Sequence, residues 1–427
     1  MTPGHRPLLV LIGTGPRLYR EYLLRSISAQ YRIHLLTGTE PGWALPYIDS
    51  AAVLPGMDPA AVVSAARRVA GLRPVAGVLT WAENHVVDAA AAAAALSLPG
   101  PGPAAVLRCR DKLATRSALA GCGVPQPRFA AASDLGQALT AAAALGYPVV
   151  LKPRAGVASE GVVLVSDPAQ LAAEFPATRS VPAPDVPLSG AAVLVEEYLA
   201  GPEISVDSVV QGGRVLPVFV ARKQTGFAPY FEETGHLVSA SDPLLADPAL
   251  LGVLDRVHAA LGYTDGCTHA ELKLTSDGPK LIEVNGRLGG DLIPYLGLRA
   301  SGIDPGLALA AVACGEAPDL SASAGAVAGI RFFYPPRPAA LVASVGFDTA
   351  GLPPGLDLLV PLVAAGAVVS PPGRGLMEGR IALATAVTAT ERECQSALDS
   401  AQAALRCTWS WPDAGAAADE PRGRAHA

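Results

Sequence analysis

The sequence predicts an α/β protein of about three units: a parallel-sheet unit first, a stretch with a β-hairpin next, and a third region broken by Pro and Gly last. Three observations carry this. Apolar runs at 7–12, 32–36 and 75–84 alternate with helical stretches, the pattern of parallel strands joined by crossover helices. "CTHAELKLTSDGPKLIEVNGRLGG" reads as two β-runs around an "SDG" turn, Ser276–Gly278. At ~150 residues per domain, a chain of 427 residues is about three domains long.

The elements follow in order. "RPLLVLIGTGP" lacks a small-residue cleavage site and runs into a Gly-x-Gly turn, so it reads as the first strand, not a leader. A helix is expected around Leu18–Ala29 and a strand at Arg32–Leu36. "VAGVLTWAEN" (Val75–Asn84) is a strand ending in polar residues, and the alanine tract Ala89–Ala95 is a helix. "LPGPGPAA" (Leu98–Ala105) marks a turn and a domain edge. Asp111 caps a helix that ends near Gly121–Gly123. "YPVVLKP" (Tyr147–Pro153) and "VVLV" (Val162–Val165) are strands around the loop "RAGVASEGV". Residues 176–190, rich in Pro, Ala and Ser, are expected to be exposed. "AVLVEEYLAGPEISVDSVV" is strand, hinge, strand. After the "SDG" hairpin the chain is helical through Cys314, and from about Ser321 Pro and Gly break it into a third region. The last residues, from about Pro412, read as a disordered tail.

Bulk properties exclude several classes. Half the residues are hydrophobic, a globular composition, and the net charge is −6. That charge gives no case for nucleic acid or an anionic membrane as partner. No apolar run reaches the ~18 residues of a membrane span. The six cysteines form no C-x-x-C pair, so neither a zinc site nor a redox motif is supported, and a reducing, cytoplasmic location is expected. Of 32 basic residues only Lys112, Lys152, Lys223, Lys273 and Lys280 are lysines. Where arginine is so favoured, each retained lysine asks why a compact ammonium was kept.

The chemistry gathers in three stretches. "RAGVASEGV" (Arg154–Val162) lacks the P-loop pattern but is a loop whose N–H groups could donate to phosphate oxygens as a flap; a plain hairpin turn is the other reading. "VEEYLAGPE" sets Glu196, Glu197, Tyr198 and Leu199 before a Gly201-Pro202 hinge and Glu203 after it. It reads as a backbone edge for adenine with an acid for ribose, or as a solvated acidic turn. In "KLIEVNGRLGG", Glu283, Asn285 and Arg287 are spaced two apart and so share a strand face. An antiparallel hairpin brings Glu271 to Glu283. Two carboxylates and an amide suit Mg²⁺, whereas without a metal the acids repel.

The order of these motifs resembles the ATP-grasp superfamily over roughly residues 105–310. Glu196 to Glu203 is 7 residues, Glu271 to Glu283 is 12, and Asn285 and Arg287 follow at intervals of 2. The resemblance implies that Lys112 and Lys152 contact ATP phosphates, with Gly156, Ser159 and Gly161 in the flap. It implies that Glu196, Glu197, Tyr198, Leu199 and Glu203 hold adenosine, and that Glu271, Glu283 and Asn285 hold Mg²⁺ or Mn²⁺. Arg287 would steady the reacting carboxylate. Val157, Ala158 and Glu160 depart from the family's serine- and glycine-rich flap.

Within the superfamily, "EVNGRLGGDLIPYLGLRASGIDP" is similar to bacilysin-type L-amino acid ligases. The fold implied is an ATP-grasp domain of two α+β subdomains at 106–320, its lid at about 115–195. A Rossmann-like domain would precede it at 1–105, and an α+β domain at 321–411 and a tail at 412–427 would follow. The activity implied is ATP-dependent joining of a small-molecule carboxylate to an amine through an acyl phosphate, with L-amino acids as substrates and a homodimer as one expected assembly. A carboxylase of the biotin or purine-biosynthetic kind is the alternative. "ETGHLVSA" also resembles the ligase branch, placing Glu233 and His236 at the substrate, with Gly289 and Gly290 in the adjoining loop. His236 reads equally as a structural histidine. His269 either meets phosphate or substrate or packs in its strand.

Overall fold

The computed structural model describes residues 6–156, 159–182, 192–373 and 379–411. The expected tail at 412–427 lies outside the described residues, as do Val157 and Ala158 of the flap. The chain forms two compact units. One comprises the chain through Gln126, Ile204–Val220 and Asp242–Ser323; the other comprises Pro127–Glu203, Ala221–Ser241 and the chain from Ala324 onward.

The first unit opens with four parallel strands in the order Ser50–Val53, Arg32–Thr37, Leu8–Ile12, Gly77–Leu79. Every residue of Leu8–Ile12 is buried, which is why this strand reads as an unbroken apolar run. Helices Arg17–Gln30, Pro59–Leu72 and Val86–Ala95 accompany the sheet. The strand expected at Val75–Asn84 is shorter, because its polar end leaves the ladder. Thr80 Oγ1 donates to the Ile12 carbonyl and Trp81 Nε1 to the Thr14 carbonyl, and Glu83–His85 forms a 3₁₀ turn. The helix predicted from Asp111 is Lys112–Gly121, capped by the Asp111 carboxylate at the Leu113 and Ala114 N–H groups.

The same unit holds strands Glu203–Gln211 (from Ile204), Gly266–Thr275 and Gly278–Asn285, in that order across the sheet. The last two form the expected antiparallel hairpin. Helix Pro248–Leu261 buries Leu250, Val253, Leu254, Val257 and Leu261 in a cluster with Val206, Leu272 and Leu281, a stripe at helical spacing. Helices Ile293–Ser301 and Pro305–Ala313 follow.

The second unit contains a four-stranded antiparallel sheet in the order Phe129–Ala132, Val193–Glu197, Val149–Pro153, Val163–Val165. Helices Leu135–Leu145 and Pro168–Arg179 bury Ala138, Ala142, Leu171 and Phe175 with Val149, Leu151 and Val195. In the stretch expected to be exposed, 176–190, Pro176, Arg179, Ser180 and Pro182 are exposed, and Thr178 is the buried exception among the described residues. Residues 176–179 end a helix that Asp167 caps, and Thr178 is buried with its hydroxyl on the Gly161 carbonyl. Residues 183–191 lie outside the described residues.

This unit also holds a run of antiparallel strands in the order Arg214–Gly226 (its end), Glu232–Ser239, Val327–Phe333, Ala382–Thr388, Leu356–Pro361. Helix Glu391–Ala404, started by a Thr390/Glu393 capping box, packs on it through Cys394, Ala397, Leu398 and Ala401. Among the described residues no helix is long and apolar enough to cross a membrane.

Packing in the first unit is tight enough to test. Gly297, in helix Ile293–Ser301, leaves no room for a Cβ against the buried Phe219 ring. Gly297→Ala should lower the free energy of unfolding by about 1 kcal/mol or more, because overpacking outweighs the gain in helix propensity. An unchanged denaturation midpoint in urea would mean that the ring yields freely.

Candidate active site

The hairpin places its acids face to face. Glu271 pairs with Glu283 in register, and His269 pairs with Asn285. Like charges directly opposite on a sheet repel, and the surroundings answer each one. Lys112, at the start of the helix capped by Asp111, puts Nζ 3.4 Å from Glu283 Oε1. His269 puts Nε2 3.4 Å from Glu271 Oε1. Asn285 is 8 % exposed. Two hard carboxylates and an amide on this hairpin are the donor types that could hold a divalent cation.

Arg287 differs from expectation in one respect. The strand ends at Asn285, so the arginine stands on the turn beyond it. Its position is set by other groups. Nε donates to Glu83 Oε2 and Nη1 to the Leu288 carbonyl at 2.8 Å. Glu83 also takes Arg110 Nη1 at 2.7 Å on its other oxygen. Burial pushes the Glu83 carboxyl up, but Arg287 and Arg110 outweigh it and hold it below the usual carboxylate range. Glu83 was not singled out from the sequence; its signal is the polar end of "VLTWAEN".

His269 is buried in its strand, with both ring nitrogens on acids. Its Nδ1 lies 2.5 Å from Asp207 Oδ1, and Asp207 Oδ2 accepts the Gly289 N–H at 3.0 Å. Burial disfavours its charge, yet Asp207 and then Glu271 raise its pKa to about 9. Asp207 is a second residue missed from the sequence. A lone acid within the apolar run "ISVDSVV" was the available sign. Gly289 sits against this pair, whereas Gly290 is open.

The second unit assembles the other named residues. Lys152, on a strand whose residues are all buried, places Nζ 3.0 Å from Glu196 Oε2, itself 2 % exposed. The expected phosphate lysine is thus held on the expected hinge acid. Glu197 takes Arg128 Nε at 2.5 Å, Tyr198 is exposed, and Leu199 is nearly buried. In the flap, Ser159 and Gly161 adopt φ of 55° and 71° and Gly156 one of 144°, so the chain turns sharply there.

Glu203 and Glu233 meet on Lys223, the third retained lysine with a role. Its Nζ lies 3.2 Å from Glu203 and 2.5 Å from Glu233, and its side chain is 1 % exposed. The second Glu233 oxygen lies 3.3 Å from His236 Nε2. Both expected substrate residues of "ETGH" are therefore together. Behind them, Tyr334 and Arg380 bond the Glu233 carbonyl and the buried Glu232 carboxylate.

Residues 145–294 match the family model described as the ATP-grasp domain. The chain carries an ATP-grasp domain. Its architecture agrees: an L-amino acid ligase structure from Bacillus licheniformis superposes with a TM-score of 0.78 at 23 % identity, over 95 % of this chain and 99 % of that one. Among curated proteins, the uncharacterized protein y4rH of Sinorhizobium fredii is 31 % identical over 290 residues, 66 % of this chain and 58 % of that protein. Human carnosine synthase 1 is 35 % identical over 179 residues, 40 % of this chain and 22 % of that protein. The chain thus spans little more than half of one of these curated relatives and under a quarter of the other. The matched ATP-grasp segment contains Lys152, Glu196, Glu203, Lys223, Glu233, Glu271, Glu283, Asn285 and Arg287.

Lys223 offers a direct check on the second unit. Lys223→Met removes a buried cation from between two partly exposed acids and should cost on the order of 1–2 kcal/mol of stability, less than the loss of one partner of a fully buried pair. Chemical denaturation measures it. A variant as stable as the parent would show that the acids gain protons or water without penalty.

Proposed function

We propose that the protein is an ATP-dependent carboxylate–amine ligase that releases ADP and phosphate. The reading rests on one observation above all: the in-register Glu271–Glu283 pair, with Asn285 beside it and an arginine anchored just beyond. With a divalent cation on the two acids, that arrangement would offset the charge of a polyphosphate while the arginine takes a carboxylate, and little else in acyl chemistry needs both.

The steps follow from bond energetics. A carboxylate is a poor electrophile. Its oxygen attacks the γ-phosphorus of ATP, the bond to the ADP oxygen breaks, and an acyl phosphate forms. The amine nitrogen then attacks the acyl carbon, phosphate leaves with the bonding pair, and the amine gives up its proton as the amide forms. The protein's share is positioning and charge compensation. Glu271, Glu283 and Asn285 would hold a divalent cation, Mg²⁺ or Mn²⁺, whose charge offsets that of the phosphates. Lys112 and Lys152 are assigned to phosphate oxygens, which draw each ammonium from its present carboxylate. Glu196 to Leu199 and Glu203 are assigned to adenosine, and Gly156, Ser159 and Gly161 to the phosphate flap. Arg287 holds the carboxylate, since Glu83 and the Leu288 carbonyl fix Nε and Nη1 and orient the rest of the fork. Glu233, His236, Gly289 and Gly290 are assigned to the substrates.

Amino acids are the proposed substrate class, supported by the "RLGGDLIP" loop and by the likeness to carnosine synthase 1. The carboxylase alternative lacks a comparable support in the loop after Arg287. The lid role is proposed for the four-stranded sheet that carries Lys152 and Glu196, whose strands lie between 129 and 197, against the expected limits of about 115–195. The expected domain limits at 105, 320 and 411 are kept as proposed functional divisions.

A hydroxylamine trap tests the reading. Wild-type protein with ATP, Mg²⁺ and the accepted amino acid should yield a hydroxamate. Arg287→Lys should bind ATP normally yet lose ~10²-fold or more in yield, about 3 kcal/mol of transition-state stabilisation, because an ammonium cannot match the planar fork. Glu283→Gln should fold and form almost no ADP. Wild-type yield from Arg287→Lys would remove the arginine from the first step. Bicarbonate-dependent ATP cleavage with no hydroxamate from any amino acid would move the protein to the carboxylase class.

A further inference from the structure

We propose that Asp207 and His269 form a brace that positions the metal ligand Glu271 and the Gly289 peptide as one piece; this rests on the metal-site reading above. The observations are all within the first unit. Asp207 is 2 % exposed and His269 3 % exposed. A buried carboxylate without full pairing is costly, and here both oxygens are used. Oδ1 holds His269 Nδ1 at 2.5 Å, and Oδ2 holds the Gly289 N–H at 3.0 Å.

The ring so fixed carries the effect to the acid pair. His269 and Glu271 lie two apart on Gly266–Thr275 and share its face. The free end of the imidazole, Nε2, lies 3.4 Å from Glu271 Oε1. One oxygen of the proposed metal ligand is therefore held by a ring that cannot rotate. A partner behind a ligand in this way sets its orientation and commonly changes metal affinity by ~10- to 100-fold.

The other end of the brace reaches the loop after Arg287. The Gly289 peptide is held on both sides, its N–H by Asp207 and its carbonyl by Arg20 Nη1 at 3.2 Å. The residue has to be glycine for this. A Cβ there would lie 2.9 Å from His269 Nδ1 and 3.1 and 3.2 Å from the two Asp207 oxygens. A merely structural ion pair has no reason to end on a proposed metal ligand at one side and on the loop behind a proposed catalytic arginine at the other.

The experiment uses the full chain, Mn²⁺ as probe and a non-hydrolysable ATP analogue, with bound Mn²⁺ read by electron paramagnetic resonance. His269→Gln and Asp207→Asn should each weaken Mn²⁺ by ~10-fold or more, with analogue binding in EDTA unchanged. Glu271→Gln should weaken Mn²⁺ too. In the double variant His269→Gln/Glu271→Gln the second change should add little, because the ring acts through the carboxylate. Additive losses would overturn the brace, as would wild-type Mn²⁺ affinity in both His269→Gln and Asp207→Asn while Glu271→Gln is weakened; the metal-site reading would survive either result. Wild-type affinity in Glu271→Gln would overturn that reading, and the brace with it.

Discussion

The first unit is organised around a repulsion. Glu271 and Glu283 are directly opposed on an antiparallel hairpin, where like charges cost stability. Nothing in the packing of a sheet calls for that pair. Its neighbours make sense as compensation: Lys112 on Glu283, His269 on Glu271, and Asp207 behind His269. A helix cap at Asp111 fixes where Lys112 starts its helix. The hairpin's apolar side, with Leu272, Leu281 and Val284 in a cluster that includes Leu254 and Val257, provides the burial that tolerates the strain. A divalent cation between hard oxygens would turn the cost into binding energy.

The second unit follows the same logic with buried ion pairs. Lys152–Glu196 and Arg380–Glu232 are nearly removed from water, and a buried Lys223 reaches the partly exposed Glu203 and Glu233. Such pairs add little net stability. They do fix geometry, since a buried charge that leaves its partner is heavily penalised. Three of the five lysines in an arginine-rich chain thus sit on acids assigned to nucleotide, metal or substrate: Lys112, Lys152 and Lys223.

What was legible in the sequence was the local part. The parallel strands showed as apolar runs, the hairpin as two β-patterns around "SDG", and the acid pair as a spacing of 12 across a turn. Period and turn chemistry are nearest-neighbour properties, so one sequence carries them. Partners distant along the chain were not legible. Glu83 meets Arg287 from 204 residues away, and Asp207 meets His269 from 62. His269 was left between two readings because alternation gives its face and not what lies opposite. The Pro, Ala and Ser composition from 176 showed the exposure, as at Pro176 and Arg179, but not the helix that Asp167 caps and that buries Phe175 and Thr178.

In the proposed reaction a carboxylate oxygen ends on phosphate. That transfer is tested most directly by labelling both carboxyl oxygens of the accepted amino acid with ¹⁸O and following the label in a complete reaction with ATP, divalent metal and amine. Each phosphate released should carry one ¹⁸O, and the amide product should keep the other. Unlabelled phosphate, with both labelled oxygens still in the recovered amino acid, would contradict the transfer.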